Sequence, residues 1–197
     1  VPTDNVTRIK FGTDGWRAAI GEDYTFHNVR RCARAVAEYL QQAGTTDRGV
    51  VVCHDRRFAS EHFARACIEV LAAHDIRTFA PPEAVPTQVG SFFTRELNAG
   101  AGIVITASHN PWTDNGFKVK ADTGGAAAPE MLAAVEATMD THPEDELPPR
   151  SALGWWRPST PSRNSATSLP ASSTSSGSAP RTSGSWWMRS TAPAPAG

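Results

Sequence analysis

The sequence predicts an α/β protein. Residues 1–145 read as a three-layer α/β/α domain around a mixed, mostly parallel sheet, and residues 146–197 read as a disordered, low-complexity tail. Three observations predict this. Between Gly49 and Ile105, short apolar runs alternate with segments whose apolar residues recur at helical spacing. The apolar runs are continuous rather than alternating, which marks strands buried on both faces and therefore helices on both sides of the sheet. After about Ser151 the composition changes: no Asp, Glu, Lys, Val or Ile occurs up to Gly197, and Ser, Ala, Pro and Thr dominate. Such a segment cannot build a core.

Taken in order, Phe11-Gly12-Thr13-Asp14-Gly15-Trp16-Arg17 puts two glycines and turn-forming residues between Ile9 and Ile20, which predicts a hairpin or loop tip with Arg17 solvated. Thr25 is placed to cap a helix bearing Val29, Cys32, Ala33, Val36 and Leu40, which Gly44 ends. Gly49 to Cys53 is a β-branched strand. Ser60 then caps a second helix whose face carries Phe63, Ala66, Cys67, Val70 and Leu71. Ile76 to Ala80 reads as the next strand. Thr87 starts a third helix with Val89, Phe92, Phe93 and Leu97, stopping by Gly100. Pro129 suits the first turn of a last helix with Leu132, Val135 and Met139, over by His142-Pro143.

With 197 residues, 40% hydrophobic content and a net charge of -1, the chain holds one globular domain plus an appendage. The near-neutral charge gives no electrostatic reason to expect nucleic acid, and no run is apolar enough to span a bilayer. Val1-Pro2-Thr3 opens no signal peptide. Cys32, Cys53 and Cys67, an odd number on or beside apolar faces, read as reduced core residues, which with the missing signal predicts a cytoplasmic location.

The stretch richest in chemistry runs from Ala101 to Lys120. Ile103 to Ile105 is a buried strand that empties into Thr106-Ala107-Ser108-His109-Asn110-Pro111. Taken alone, that loop is a turn in which Ser108 and Asn110 bond their own backbone. Asn115-Gly116 favours a tight turn with positive φ, and Phe117 to Val119 is a second strand-like run, so Ser108 projects from a bend braced on both sides. In α/β sheets, sites gather at the carboxyl ends of strands, where Ser108 lies. Upstream, His54-Asp55-Arg56-Arg57-Phe58-Ala59-Ser60 reads as a strand-to-helix loop in which Asp55 and Arg57 bond each other or the backbone. His54 has no second His or Cys at ligand spacing, which argues against a metal there.

Thr106 to Pro111, followed by Asn115-Gly116-Phe117-Lys118, closely resembles the phosphoserine loop of the α-D-phosphohexomutases, the phosphoglucomutase and phosphomannomutase superfamily. Phe11 to Arg17 is similar to that family's opening signature, and Asp55-Arg56-Arg57 resembles its corresponding strand-to-helix loop, where the resemblance implies a mainly structural role. The resemblance covers about residues 8 to 140, the first of the family's domains. It implies an isomerase of carbohydrate metabolism in which a phosphoserine gives its phosphoryl group to a phosphohexose, forming a bisphosphate that reorients and returns the other phosphate. By position, Ser108 matches the phosphoserine, Lys118 and His109 fall near the proton path, and Arg17 and Asn110 fall at phosphate contacts. Apart from the resemblance, Lys118 reads as a surface lysine at a strand edge and His109 as a ring that braces the loop by hydrogen bonds. A guanidinium suits such a contact because its fork of donors matches phosphate oxygens and its charge does not titrate away. Transfer between oxygens needs an in-line nucleophile, cations for the developing charge and a group to manage the hydroxyl proton.

The implied cofactor is Mg²⁺, to which this chain would contribute only a phosphoryl oxygen on Ser108. The family's aspartate-rich Mg²⁺ loop, sugar-specificity loop and terminal phosphate-binding loop have no matching segment in this sequence. The expected partner is a phosphohexose, with the chain a monomer or weak oligomer that does not turn over alone. The alternative is a non-catalytic α/β fragment that at most binds phosphosugar weakly. Trp16 and Thr106 resemble the glucose/mannose group more than the glucosamine group.

The tail carries a further signature. Trp186-Trp187-Met188 is encoded only by TGG TGG ATG, and reading from the last base of each codon gives Val and then Asp. Degeneracy through Gly197 then permits Val-Asp-Ala-Leu-His-Gly-Ala-Gly-Ala-Gly, which resembles the start of the family's second domain. Gly154-Trp155-Trp156-Arg157 likewise becomes Leu-Val-Glu. The tail therefore reads as an out-of-frame translation of a GC-rich gene.

Overall fold

Two glycines open the structure: Gly12 donates its N–H to the Gly15 carbonyl at 3.0 Å, closing a tight turn that delivers the chain into strand β1, Trp16–Ala19. The computed structural model describes residues 8–13, 15–139 and 188–190. Thr25 caps helix α1, Phe26–Gln42, its hydroxyl accepting the Asn28 N–H at 3.2 Å. Val29, Cys32, Ala33, Val36 and Leu40 are all buried, as their spacing predicts. Strand β2, Val50–His54, leads to α2, Ser60–Ala73, then β3, Thr78–Ala80, and α3, Thr87–Glu96. Strands β4, Ala101–Ile105, and β5, Asp114–Lys120, flank the serine loop, and α4, Pro129–Met139, follows.

The strands join in the order β1-β5-β4-β2-β3-β6, where β6 is Met188–Ser190. Strand β2 pairs in parallel with β3 and β4, β5 is antiparallel to β1 and β4, and β6 is antiparallel to β3. Strands β1 to β4 thus run one way and β5 and β6 the other, the mixed sheet of the sequence expectation. Along β2 and β4, Val50, Val52, Ile103 and Ile105 face one core with α1, α2 and α4, while Val51, Cys53 and Val104 face a smaller one with Phe79 and Ala99. Helix α3 covers this second face, so the domain has three layers. Because both faces are buried, the central strands β2 and β4 are almost continuously apolar, while β5 buries Asn115, Lys118 and Lys120 as well.

Several local expectations are corrected. Asn115-Gly116 lies inside β5 and not in a turn. Gly116 is needed for close approach, since a Cβ there would stand 2.5 Å from the Thr106 carbonyl and 3.0 Å from Arg17 Cγ. Ser60 does not cap α2: Ala59, at φ 58°, holds the cap position, and the Ser60 hydroxyl is used elsewhere. In α3 the buried positions are Gly90 and Thr94, not the predicted stripe, and Phe92 is 50% exposed. Gly90 lets the helix lie directly on Cys53 and Val104, each 3.2 Å from where its Cβ would be. The structure adds β1, where only a loop tip was expected. It also places Met188–Ser190, from the predicted disordered tail, beside β3, whose outer edge offers the free N–H and C=O groups any extended segment can pair with. The end of the last helix and the rest of the tail lie outside the described residues.

Candidate active site

Strand β4 is buried along its whole length, as are Thr106 and Ala107, and the chain then surfaces abruptly at Ser108. Ser108 adopts φ 58°, a left-handed conformation costing a non-glycine residue about 1–2 kcal/mol unless its surroundings impose it. They do. The Ser108 N–H donates to Thr106 Oγ1 at 2.9 Å, while the Thr106 N–H donates to the Gly116 carbonyl at 2.9 Å and ties the loop's start to β5. Asn110 N–H reaches the Ala107 carbonyl at 3.1 Å, and Asp114 N–H the Pro111 carbonyl at 3.1 Å.

A single guanidinium gathers most of the loop's remaining carbonyls. Arg57 Nη2 donates to the Ser108 and Asn110 carbonyls, each at 2.7 Å, and Nη1 to those of Pro111 at 2.7 Å and Asp114 at 3.1 Å. Arg57 Nε lies 3.4 Å from Asp55 Oδ2, and Asp55 Oδ1 accepts the Arg57 N–H at 2.9 Å. The Ser60 hydroxyl donates to the same Oδ1 at 2.8 Å and accepts from Asn115 Nδ2 at 2.9 Å. Asp55 and Arg57 therefore bond each other and the backbone, as the sequence suggests, but the backbone in question is that of the serine loop. Neither Asn115 nor Ser60 was singled out from the sequence for this role, since nothing in their spacing signals it. The same holds for Tyr24, which is fully buried against Trp16 and donates to the Gly116 carbonyl at 2.8 Å. Burial pushes its phenol well above the ordinary range.

The predicted site residues divide into two groups. Around the loop, Ser108 Oγ lies 3.4 Å from His109 Nδ1, a long and weak contact, and both residues are exposed. Arg17 Nη1 reaches Asn110 Oδ1 at 3.4 Å, and Asn110 Nδ2 donates to Asp114 Oδ2 at 3.0 Å, which turns the amide oxygen toward Arg17. On the sheet, Arg17 is registered against Gly116, two positions before Lys118, so both cations stand on the α3 face. Two glycines make room for their stems: a Cβ on Gly15 would meet Lys118 Cγ at 3.1 Å, as one on Gly116 would meet Arg17. Lys118 is only 5% exposed, so it is not the surface lysine that a strand edge would give. An open cleft of about 500 Å³ lies beside the loop, lined by Asp55, Arg56, Arg57, Phe58, Asn110 and Trp112.

The arrangement presents a hydroxyl on a rigid bend with a guanidinium tied to the same loop, suited to holding a phosphoryl group. A sequence model of the α/β/α domain I of phosphoglucomutase/phosphomannomutase matches residues 8–146, most of the chain. The chain belongs to that family. Its relatives include a Schizosaccharomyces pombe protein described as a probable phosphoribomutase, 39% identical over 138 residues that make up 68% of this chain and 24% of the relative. A Photobacterium profundum phosphoglucosamine mutase is 37% identical over 66% of this chain and 29% of its own length. Among solved structures, a Thermus thermophilus protein described as a phosphomannomutase superposes with a TM-score of 0.64 at 40% identity, over 70% of this chain and 30% of that one. The chain spans about a quarter of the length of the curated family members it matches.

Members of this family are named for different sugars yet share this domain. As for the implied Mg²⁺, no three His, Cys, Asp or Glu side chains among the described residues stand together to hold an ion. The carboxylates of the loop that clamps the serine and of the serine loop's end are engaged, Asp55 with Ser60 and Arg57, Asp114 with Asn110 and Thr113. These residues do not by themselves fit a magnesium site. The cysteines are all buried thiols; burial pushes Cys53 up to about 12 and raises Cys32 and Cys67 as well, which makes them packing residues rather than nucleophiles.

Proposed function

We propose that this domain is the phosphoserine-bearing unit of a phosphohexose mutase. The observation that carries the reading is Ser108, exposed on a left-handed bend at the carboxyl end of β4, with Arg17 joined to the same loop through Asn110. In the reaction, the Oγ–phosphorus bond of phosphoserine breaks as a sugar hydroxyl oxygen bonds the phosphorus, and the hydroxyl proton passes to a basic group. Transfer in the other sense, from the bisphosphate, restores the phosphoserine. Arg17 and Lys118 supply positive charge against the phosphoryl oxygens. Lys118 or His109 handles the proton, and His109 also braces Ser108. In the complete enzyme Mg²⁺ would add charge stabilisation, held by residues outside this domain. The enzyme acts in the cytoplasm, as a monomer or weak oligomer, and the tail after residue 145 is an out-of-frame continuation.

Two measurements test the reading. Incubating the chain with glucose 1,6-bisphosphate and mapping phosphopeptides is expected to place phosphate on Ser108 alone and to fail with Ser108→Ala. Label on another residue, or label that survives that substitution, removes the assignment. Turnover of glucose 1-phosphate at saturating Mg²⁺ is expected to fall at least about 10²–10³ below that of a full-length relative, the cost of losing even one preorganised stabilising group. Turnover matching the relative would mean that the other domains are dispensable.

A further inference from the structure

Four backbone carbonyls between Ser108 and Asp114 converge on one guanidinium that comes from the far end of β2. A guanidinium carries five N–H donors in a rigid plane. In Arg57 two Nη1 donors reach Pro111 and Asp114, two Nη2 donors reach Ser108 and Asn110, and Nε faces Asp55 at 3.4 Å. No donor is left to contact a ligand, so Arg57 acts on the loop and not on a substrate. The orientation of a carbonyl fixes the ψ of its own residue. Holding the Ser108 and Asn110 carbonyls on a single nitrogen therefore orients the 108–109 and 110–111 peptide planes, which bracket His109-Asn110. Ser108, at φ 58°, sits directly before that restraint and is bonded through its own N–H to Thr106 on the other side.

The guanidinium is itself held from the interior. Asp55 receives the Arg57 N–H and the Ser60 hydroxyl, Ser60 receives Asn115 Nδ2, and Asn115 is fully buried at the start of β5. The network thus starts in β5, passes the end of β4 to Ser60 and the β2–α2 loop, and returns to the serine loop. We infer that Arg57, braced by Asp55, is a positioning residue: it locks Ser108 in its left-handed backbone conformation and so sets the direction of Oγ for phosphoryl transfer. The part concerning transfer rests on the function proposed above; the part concerning the loop does not. Lysine cannot substitute, because a single ammonium cannot span four carbonyls in a plane.

The test uses the full chain with Arg57→Met, Arg57→Lys and Asp55→Asn, and Arg57→Ala with added methylguanidinium. Amide hydrogen exchange over residues 108–114 reads the loop without any sugar, and the rate of Ser108 phosphorylation by glucose 1,6-bisphosphate reads the chemistry. Exchange in Arg57→Met and Arg57→Lys is expected to rise about tenfold or more, as for a lost charge-assisted hydrogen bond. Phosphorylation is expected to fall by about 10²-fold, the cost of a misplaced nucleophile. Asp55→Asn should show smaller changes in the same direction, and methylguanidinium should restore Arg57→Ala saturably at concentrations that leave its unfolding midpoint unchanged. Should the Arg57 variants fail to fold, Asp55→Asn decides by its exchange. Wild-type exchange and phosphorylation in folded Arg57→Met, or no rescue by methylguanidinium, overturns the inference. If the parent chain takes no phosphate yet its loop loosens without Arg57, positioning stands and the mutase reading falls.

Discussion

The two faces of the sheet divide the domain's work. One face packs Phe63, Leu40, Leu71, Ile103 and Phe117 with the helices α1, α2 and α4 in a continuous apolar core. The other carries Arg17, Thr106, Lys118 and Lys120 on the sheet and meets α3 through Gly90 and Thr94. Burial of large side chains stabilises by about 1.5–3 kcal/mol each, so the first face supplies most of the stability. The second can therefore hold buried lysines and polar groups that a lone core could not tolerate. The difference shows that one sheet can place its cationic side chains on the face that carries the smaller core.

The largest effect that would break this contrast comes from Phe63, buried in the first core between Tyr24 and Phe26. Phe63→Ala is expected to lower unfolding free energy by about 3–5 kcal/mol, read by urea titration. A loss under about 1 kcal/mol would mean that this face is not the stabilising one. Next is Gly102→Ala on the second face, whose Cβ would stand 2.4 Å from Thr94 Oγ1. It should cost about 1–3 kcal/mol through overpacking, and adding Thr94→Ala should recover much of that. If the pair loses as much as the single variant, the close approach of α3 is not what limits this face.

The third concerns pH. Cys53 belongs to the smaller core, and its thiol is raised from 9.0 to about 12. Below pH 9 the thiol is protonated in both states and stability is unaffected. Above it only the unfolded chain releases the proton, so stability falls by about 1.4 kcal/mol per pH unit per such thiol until the folded pKa is reached. Cys53→Ala should flatten the alkaline fall by that one increment, leaving those of Cys32 and Cys67 in the larger core. An unchanged slope would show that Cys53 is open to solvent. Smallest is Trp112, 82% exposed on the serine loop: Trp112→Ala should shift stability by less than about 0.5 kcal/mol in the same titration.

What the sequence shows clearly follows the range of the forces involved. Helix α1 and strands β2 and β4 are legible because each encodes its burial locally, through a period of 3.6 or an unbroken β-branched run. Ser108, Arg17 and Lys118 are singled out together only through resemblance, and of the two cations the structure ties Arg17 to the serine loop, through Asn110. Helix α3 misleads because its apolar stripe is less buried than Gly90 and Thr94, whose small size permits close packing that no periodicity expresses. Asn115-Gly116 misleads in the same way, since the pair serves turns and close approaches alike. The pairing of Asp55 with Arg57 is legible, but which backbone Arg57 holds is not: its acceptors are carbonyls 51 to 57 residues away, and a carbonyl leaves no mark on the sequence.

The groups that restrain the serine loop, Tyr24, Arg57, Ser60 and Asn115, all come from within this one domain. The serine is thereby a cartridge that carries its own alignment. All four lie between residues 24 and 116, so the bend at Ser108 is set by the sheet and the two helices on one of its faces.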